Sequence, residues 1–131
     1  MRQTYVRFVA AVVDENSGKR LGVFQAADDL EDGKELRDYE AEELKAIFKW
    51  FKKHLKVPPR FSRSRRPGAA PKAISWFKST AIEHIERMQA ICRILEEHGI
   101  RTEMITTARP GYIVFEDEFQ IAAEPFVETV T

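Results

Sequence analysis

Eleven lysines and arginines lie between Leu44 and Ile82, and no aspartate or glutamate occurs among the same 39 residues. Lysine ammonium groups make point-charge contacts to phosphates, arginine guanidinium groups make bidentate ones, and interleaved aromatic rings can stack on bases. The candidate binding residues are Lys49, Lys52, Lys53, Lys56, Arg60, Arg63, Arg65 and Arg66, with Trp50 or Trp76 as an apolar anchor. The pattern predicts a surface that binds anions.

The charge is segregated along a chain whose formal net charge is zero. Residues 1–43 carry six basic and eleven acidic groups, residues 44–82 carry eleven and none, and residues 83–131 carry four and ten. A segregated distribution can steer an anionic partner, although the neutral total argues against general adhesion to nucleic acid. The alternative is a solvated helix surface, neutralised by residues 28–43 within the fold or across a dimer.

A second kind of chemistry is acid/base work on an anionic substrate, by His84 or by the turn Glu116-Asp117-Glu118. His84 lies in the apolar arc of a predicted helix, and Met88 occupies the i+4 position that a second metal ligand would need. A buried histidine and a polar turn explain these groups without a reaction. The sequence has no Gly-rich phosphate loop, nucleophile elbow, CxxC pair or HExxH motif, and it predicts no metal and no cofactor.

The helix that must position the lysines is predicted to start near Asp38, whose carboxylate can accept free backbone N–H groups. Apolar residues then recur at i, i+3 and i+4 spacing until Val57-Pro58 ends the helix. This apolar stripe consists of Leu44, Ile47, Phe48, Phe51 and Leu55. The lysines at positions 45, 49, 52, 53 and 56 fall within an arc of roughly 100°, which makes one lysine face.

The other elements predict an α+β fold. Residues 4–13 and 21–26 indicate an N-terminal β-hairpin, and residues 28–37 a loop. A second amphipathic helix follows the Thr80-x-x-Glu83 pattern and stops at Gly99. Residues 100–107, 112–115 and 119–123 predict a C-terminal three-strand meander. Two helices are then expected to cover one face of an antiparallel sheet.

The length of 131 residues fits a single α+β domain, 1–131, with an exposed basic loop at about 58–72. Cys92 has no cysteine partner and falls on an apolar stripe, which predicts an inert core thiol in a reducing compartment. No apolar run approaches the ~20 residues of a membrane-spanning helix, and the first residues do not resemble a signal peptide. A cytoplasmic location without membrane contact is therefore expected.

The leading functional hypothesis is a non-enzymatic interaction domain that uses the basic helix face and the arginine-rich loop. Its partner would be nucleic acid or an acidic protein surface. One alternative is a small enzyme that acts on an anionic substrate. The other is a self-associating structural module, such as a homodimer in which residues 28–43 of one copy meet residues 44–66 of the other.

Overall fold

The computed structural model describes residues 3–13, 20–56 and 73–130, and their arrangement is α+β, as predicted. The strands are β1 (Tyr5–Val13), β2 (Arg20–Gly22), β3 (Ile74–Lys78), β4 (Thr102–Thr107), β5 (Tyr112–Glu116) and β6 (Gln120–Glu124). The helices are α1 (Val23–Asp32), α2 (Asp38–His54) and α3 (Ile82–Glu97). None of the described helices is long and apolar enough to cross a bilayer.

The chain divides into two compact units. The sheet unit comprises Met1–Arg7, Lys56–His84 and Ile105–Thr131, and the helical unit comprises Phe8–Leu55 and Ile85–Met104. Strand β6 is buried along its whole length in the sheet unit, with Ile121 and Ala123 fully inaccessible. Leu44, Ile91 and Leu95 are fully inaccessible in the helical unit. The single domain of 1–131 stays a prediction.

The strands pair in the order β2-β1-β3-β6-β5, and β4 also pairs with β1. The pairs β1–β2, β1–β3, β3–β6 and β5–β6 are antiparallel. The predicted C-terminal meander is wrong, because β4 pairs with β1 and β6 pairs with β3. Only β5 and β6 form a consecutive hairpin in that third of the chain, since strand order depends on long-range pairing that local patterns do not carry.

Helix α1 replaces most of the second predicted strand and the start of the predicted loop. Its buried residues are Val23, Ala26, Ala27 and Leu30, which follow the i, i+3, i+4, i+7 spacing of an amphipathic helix. The strand prediction considered residues 21–26 only, and that segment is too short to show the helical period, which continues to Leu30. The helix contacts α2 through Phe24, whose ring lies 4.9 Å from the Phe51 ring, centroid to centroid. Three helices, rather than the two predicted, therefore belong to the fold.

The two predicted helices are present with the expected buried stripes. In α2, Leu44, Ile47 and Phe51 are buried, and in α3 Met88, Ile91, Cys92 and Leu95 are buried. Gly99 follows α3 with φ of 80°, and Gly111 precedes β5 with φ of 134°. Both values are positive, which favours glycine at these two positions.

Candidate binding surface of helix α2

Four exposed lysines of α2 form the lysine surface, defined as Lys45, Lys49, Lys52 and Lys53. At 100° per residue they fall within an arc of roughly 100°, and at 1.5 Å per residue they extend over about 12 Å of the helix axis. In the described parts of the chain, no ion pair joins any of them to a carboxylate. The result is a short row of ammonium groups on one side of a helix.

Like-charge neighbours make this row unfavourable for the helix itself. Lys49 is four residues from both Lys45 and Lys53 and three from Lys52, and each like-charge pair at such spacing destabilises a helix by roughly 0.2–0.5 kcal/mol. Part of this is offset because Lys52, Lys53 and His54 occupy the last turn, where cations suit the helix dipole. The dipole does not account for Lys45 or Lys49.

Lys56 lies outside helix α2, so its predicted place on the lysine face is wrong. Helix α2 ends at His54, and Leu55 is extended, with φ of −136° and ψ of 116°. The helical offset that placed Lys56 on the face therefore no longer applies. Its side chain is exposed, and its backbone carbonyl accepts a hydrogen bond from the Gln120 side chain within the sheet unit.

The Trp50 ring is covered by neighbours in the helical unit. The Arg87 guanidinium lies 3.7 Å from the ring centroid, a cation–π contact from α3. The His54 ring stacks on it at 4.3 Å with an interplanar angle of 18°, and Phe51 packs against it edge-on at 5.3 Å. Trp50 is half-buried. Its π-faces are used inside the protein, which weakens the predicted role of Trp50 as a stacking anchor.

Trp76 is 1% exposed, so it is a core residue and not a surface anchor. It lies in β3 opposite Ile121 of β6, a strand that is buried throughout. Its indole Nε1 has no hydrogen-bond partner among the described residues. The proposed anchoring role of Trp76 is corrected here, because burial removes its ring from any partner.

The arginines at positions 60, 63, 65 and 66 and the basic loop at about 58–72 fall on residues outside the described ranges. Their part in binding stays a prediction.

Neither a protein-family model nor a curated protein nor a solved structure matches this chain.

A hydrogen-bonded pair, Glu40 and His98, joins the start of α2 to the residue that follows α3. Glu40 is 1% exposed, and both of its carboxylate oxygens accept from His98 Nε2, at 3.0 and 3.1 Å. The same carboxylate accepts the backbone N–H of Arg37 at 2.9 Å. Glu40 therefore makes the side-chain hydrogen bond at the N-terminus of α2 that was predicted for Asp38. The Arg37 N–H, ahead of His98, lowers the pKa of Glu40, although burial acts in the opposite direction.

This pair makes stability depend on pH in a defined direction. The pKa of Glu40 in the folded protein lies below its ordinary value of 4.5, so the carboxylate stabilises the fold above about pH 4.5 and loses this effect as pH falls through the folded pKa. We expect Glu40→Gln to be less stable than wild type near pH 7, and the gap to close on acidification. Urea unfolding midpoints between about pH 7 and pH 3 measure it.

The matched control for this prediction is Glu86→Gln, which removes one exposed carboxylate from α3. Comparing the two variants separates the effect of Glu40 from the general effect of losing one negative charge. An unfolding gap between wild type and Glu40→Gln that stays constant down to about pH 3 would contradict the assignment.

His84 is buried, with 3% exposure, as the structural alternative for this residue expects. Its ring centroid lies 4.5 Å from that of Phe119 and 6.0 Å from that of Phe77, all within the sheet unit. A general base must reach a substrate proton directly or through one water. A ring enclosed by aromatic side chains does not offer that access, so the form of the enzyme hypothesis that relies on His84 loses its support.

The carboxylates of the turn between β5 and β6 have structural partners. Asp117 Oδ1 accepts the backbone N–H groups of Phe119 and Gln120, at 2.9 and 3.0 Å. Glu116 pairs with Lys78 at 2.6 Å. These contacts fit the interpretation of a polar β-turn.

Burial raises the pKa of the Cys92 thiol, which keeps it protonated and agrees with an inert core cysteine.

Sequence reasoning missed Arg87 and the pairing of Glu40 with His98. Arg87 lies outside the basic block, and its contact with Trp50 joins two different helices. The one available signal was indirect: Trp50 lies off the apolar stripe of α2, so its ring needed a neighbour from another element.

Proposed function

We propose that this protein is a non-enzymatic interaction domain that binds nucleic acid through the lysine surface of α2. The observation that carries the proposal is the row of four exposed lysines on one helix side, none of which is paired with a carboxylate in the described residues. Ammonium groups arranged in this way make sequence-independent contacts to phosphate oxygens.

The energetics of α2 support a binding role for the row. Lys45 and Lys49 repel each other across one helical turn and gain nothing from the helix C-terminus. An anionic partner removes this repulsion, because each phosphate interacts favourably with several ammonium groups at once. A helix that needed only solubility would gain more from alternating charges, since a glutamate four residues before a lysine stabilises the helix.

Salt dependence tests the proposal directly. Each phosphate that a lysine neutralises contributes about −0.9 to the slope of log K against log salt concentration for B-form duplex. Four contacts predict a slope of at least about −3.6, so affinity should fall on the order of 100-fold between about 50 and about 200 mM salt. Fluorescence anisotropy of a labelled duplex of about 20 base pairs, of arbitrary sequence, measures this slope.

Polyglutamate of similar length is the matched anionic competitor, because it carries carboxylates on a flexible chain without phosphates. Displacement of the duplex only at much higher charge concentration of polyglutamate supports nucleic acid as the partner. Equal displacement per charge would shift the assignment to an acidic protein surface. A salt-insensitive complex, or no binding at about 50 mM salt, would overturn the proposal.

A further inference from the structure

Proteins that bind single-stranded nucleic acid combine a basic groove with aromatic side chains on which the bases stack. Each stacked base contributes roughly 1–3 kcal/mol, so open aromatic faces largely decide whether a single strand is held well. The chain has only two tryptophans, Trp50 and Trp76, and the structure accounts for both rings. Their surroundings therefore show whether either indole is open to a base.

Neither indole is available to a base. The Trp50 ring contacts Arg87 at 3.7 Å and His54 at 4.3 Å, and both contacts are made over the plane of the ring. Trp76 is 1% exposed. No tryptophan ring is therefore open to a base beside the four lysines.

We infer that the lysine surface binds the phosphate backbone of double-stranded nucleic acid in preference to a single strand, without stacking of a base on either tryptophan. This inference rests on the proposed function. A duplex carries one negative charge per about 1.7 Å of its axis, counting both strands, whereas one strand alone contributes one per about 3.4 Å. A lysine row about 12 Å long therefore faces about twice as many phosphates on a duplex.

The size of the preference follows from counterion release. The salt slope per contact is about −0.9 on duplex and about −0.7 on single strands, so four contacts differ by about 0.8 in slope. Near 0.1 M salt this corresponds to roughly sixfold tighter binding of the duplex than of the single strand of the same length. Sequence should have little influence on either affinity, because no base edge is read.

The test compares a duplex with each of its separated strands by anisotropy, and follows intrinsic tryptophan emission at saturation. Stacking of a base on an indole quenches that emission, and both indoles in the chain contribute to it. The expected result is a duplex preference of roughly sixfold with tryptophan emission nearly unchanged. A single strand that binds as tightly as the duplex, or that strongly quenches the emission, would overturn the inference and leave the proposed function standing.

A substitution provides an independent readout. Trp50→Leu removes the indole but keeps an apolar side chain of helical preference, and a circular dichroism melt verifies that the variant folds. Duplex and single-strand affinities that stay within about twofold of wild type support binding without stacking on Trp50, since a stacked base would contribute at least about fivefold. A selective loss of single-strand affinity would overturn it. Absence of binding by wild type to either form would instead remove the proposed function itself.

Discussion

Replacing Lys49, Lys52 and Lys53 together with glutamine is expected to weaken duplex binding by two to three orders of magnitude near 0.1 M salt. Each phosphate contact contributes about −0.9 to the slope of log K against log salt, which corresponds to roughly eightfold in affinity at that concentration. Loss of three contacts should also make the slope shallower by about 2.7. Anisotropy titrations at several salt concentrations measure both quantities.

The matched control replaces three exposed basic residues of the helical unit that lie outside α2 with glutamine: Lys34, Arg93 and Arg101. It changes the net charge by the same amount, so any difference between the two triple variants belongs to the position of the charges. Equal weakening by both variants would show that overall charge, and not the lysine surface, governs the interaction.

Gly111→Ala is expected to lower the free energy of unfolding by more than about 3 kcal/mol. The φ of Gly111 is 134°, and a Cβ atom at this position would lie 2.0 Å from the carbonyl oxygen of Glu124. Backbone strain and overpacking each cost about 1–3 kcal/mol, and here they act together because the clash is with backbone. Urea unfolding followed by circular dichroism measures the change.

Two other glycines separate the causes. Gly99→Ala meets the strain of a positive φ of 80° but no atom within 4 Å, so a loss of about 1–2 kcal/mol is expected. Gly22 has an ordinary φ of −68° and also has open space, so Gly22→Ala should change stability little. A Gly111→Ala variant no less stable than Gly99→Ala would contradict the close approach of Gly111 to Glu124.

The parts of the fold that the sequence predicted are those with local causes. The apolar spacing of α2 identified its buried stripe, and the helix begins at Asp38 as predicted, although Glu40 is the residue that accepts a backbone N–H there. The burial of His84 agrees with its position within an apolar arc. Gly99 was recognised as a helix stop because glycine tolerates positive φ without strain. The α+β class could be predicted because the chain contains both the apolar spacing of helices and the extended apolar patterns of strands.

The parts that escaped prediction depend on residues far apart in sequence. β4 pairs with β1 and not with its neighbour β5, which no local pattern of β4 indicates. Trp50 has the appearance of an exposed anchor until Arg87 of another helix covers it. The buried carboxylate of Glu40 has a partner, His98, that lies 58 residues away. The error for α1 has a local cause, because its helical spacing is present in the sequence but the predicted strand ended at Ala26, before the spacing is complete.

Helix α2 makes a contact near each of its ends, one with α3 and one with the residue that follows α3. Glu40 in its first turn meets His98 beyond the end of α3, and Trp50 in its final turns meets Arg87 in the first half of α3. The two helices therefore run antiparallel, and the backbone that carries the lysines is already helical before any partner arrives. Association with a partner then requires only lysine side chains to lose rotamer freedom, up to about 2 kcal/mol each, with no further backbone entropy to lose. Preorganisation of this kind favours fast encounters that need no coupled folding.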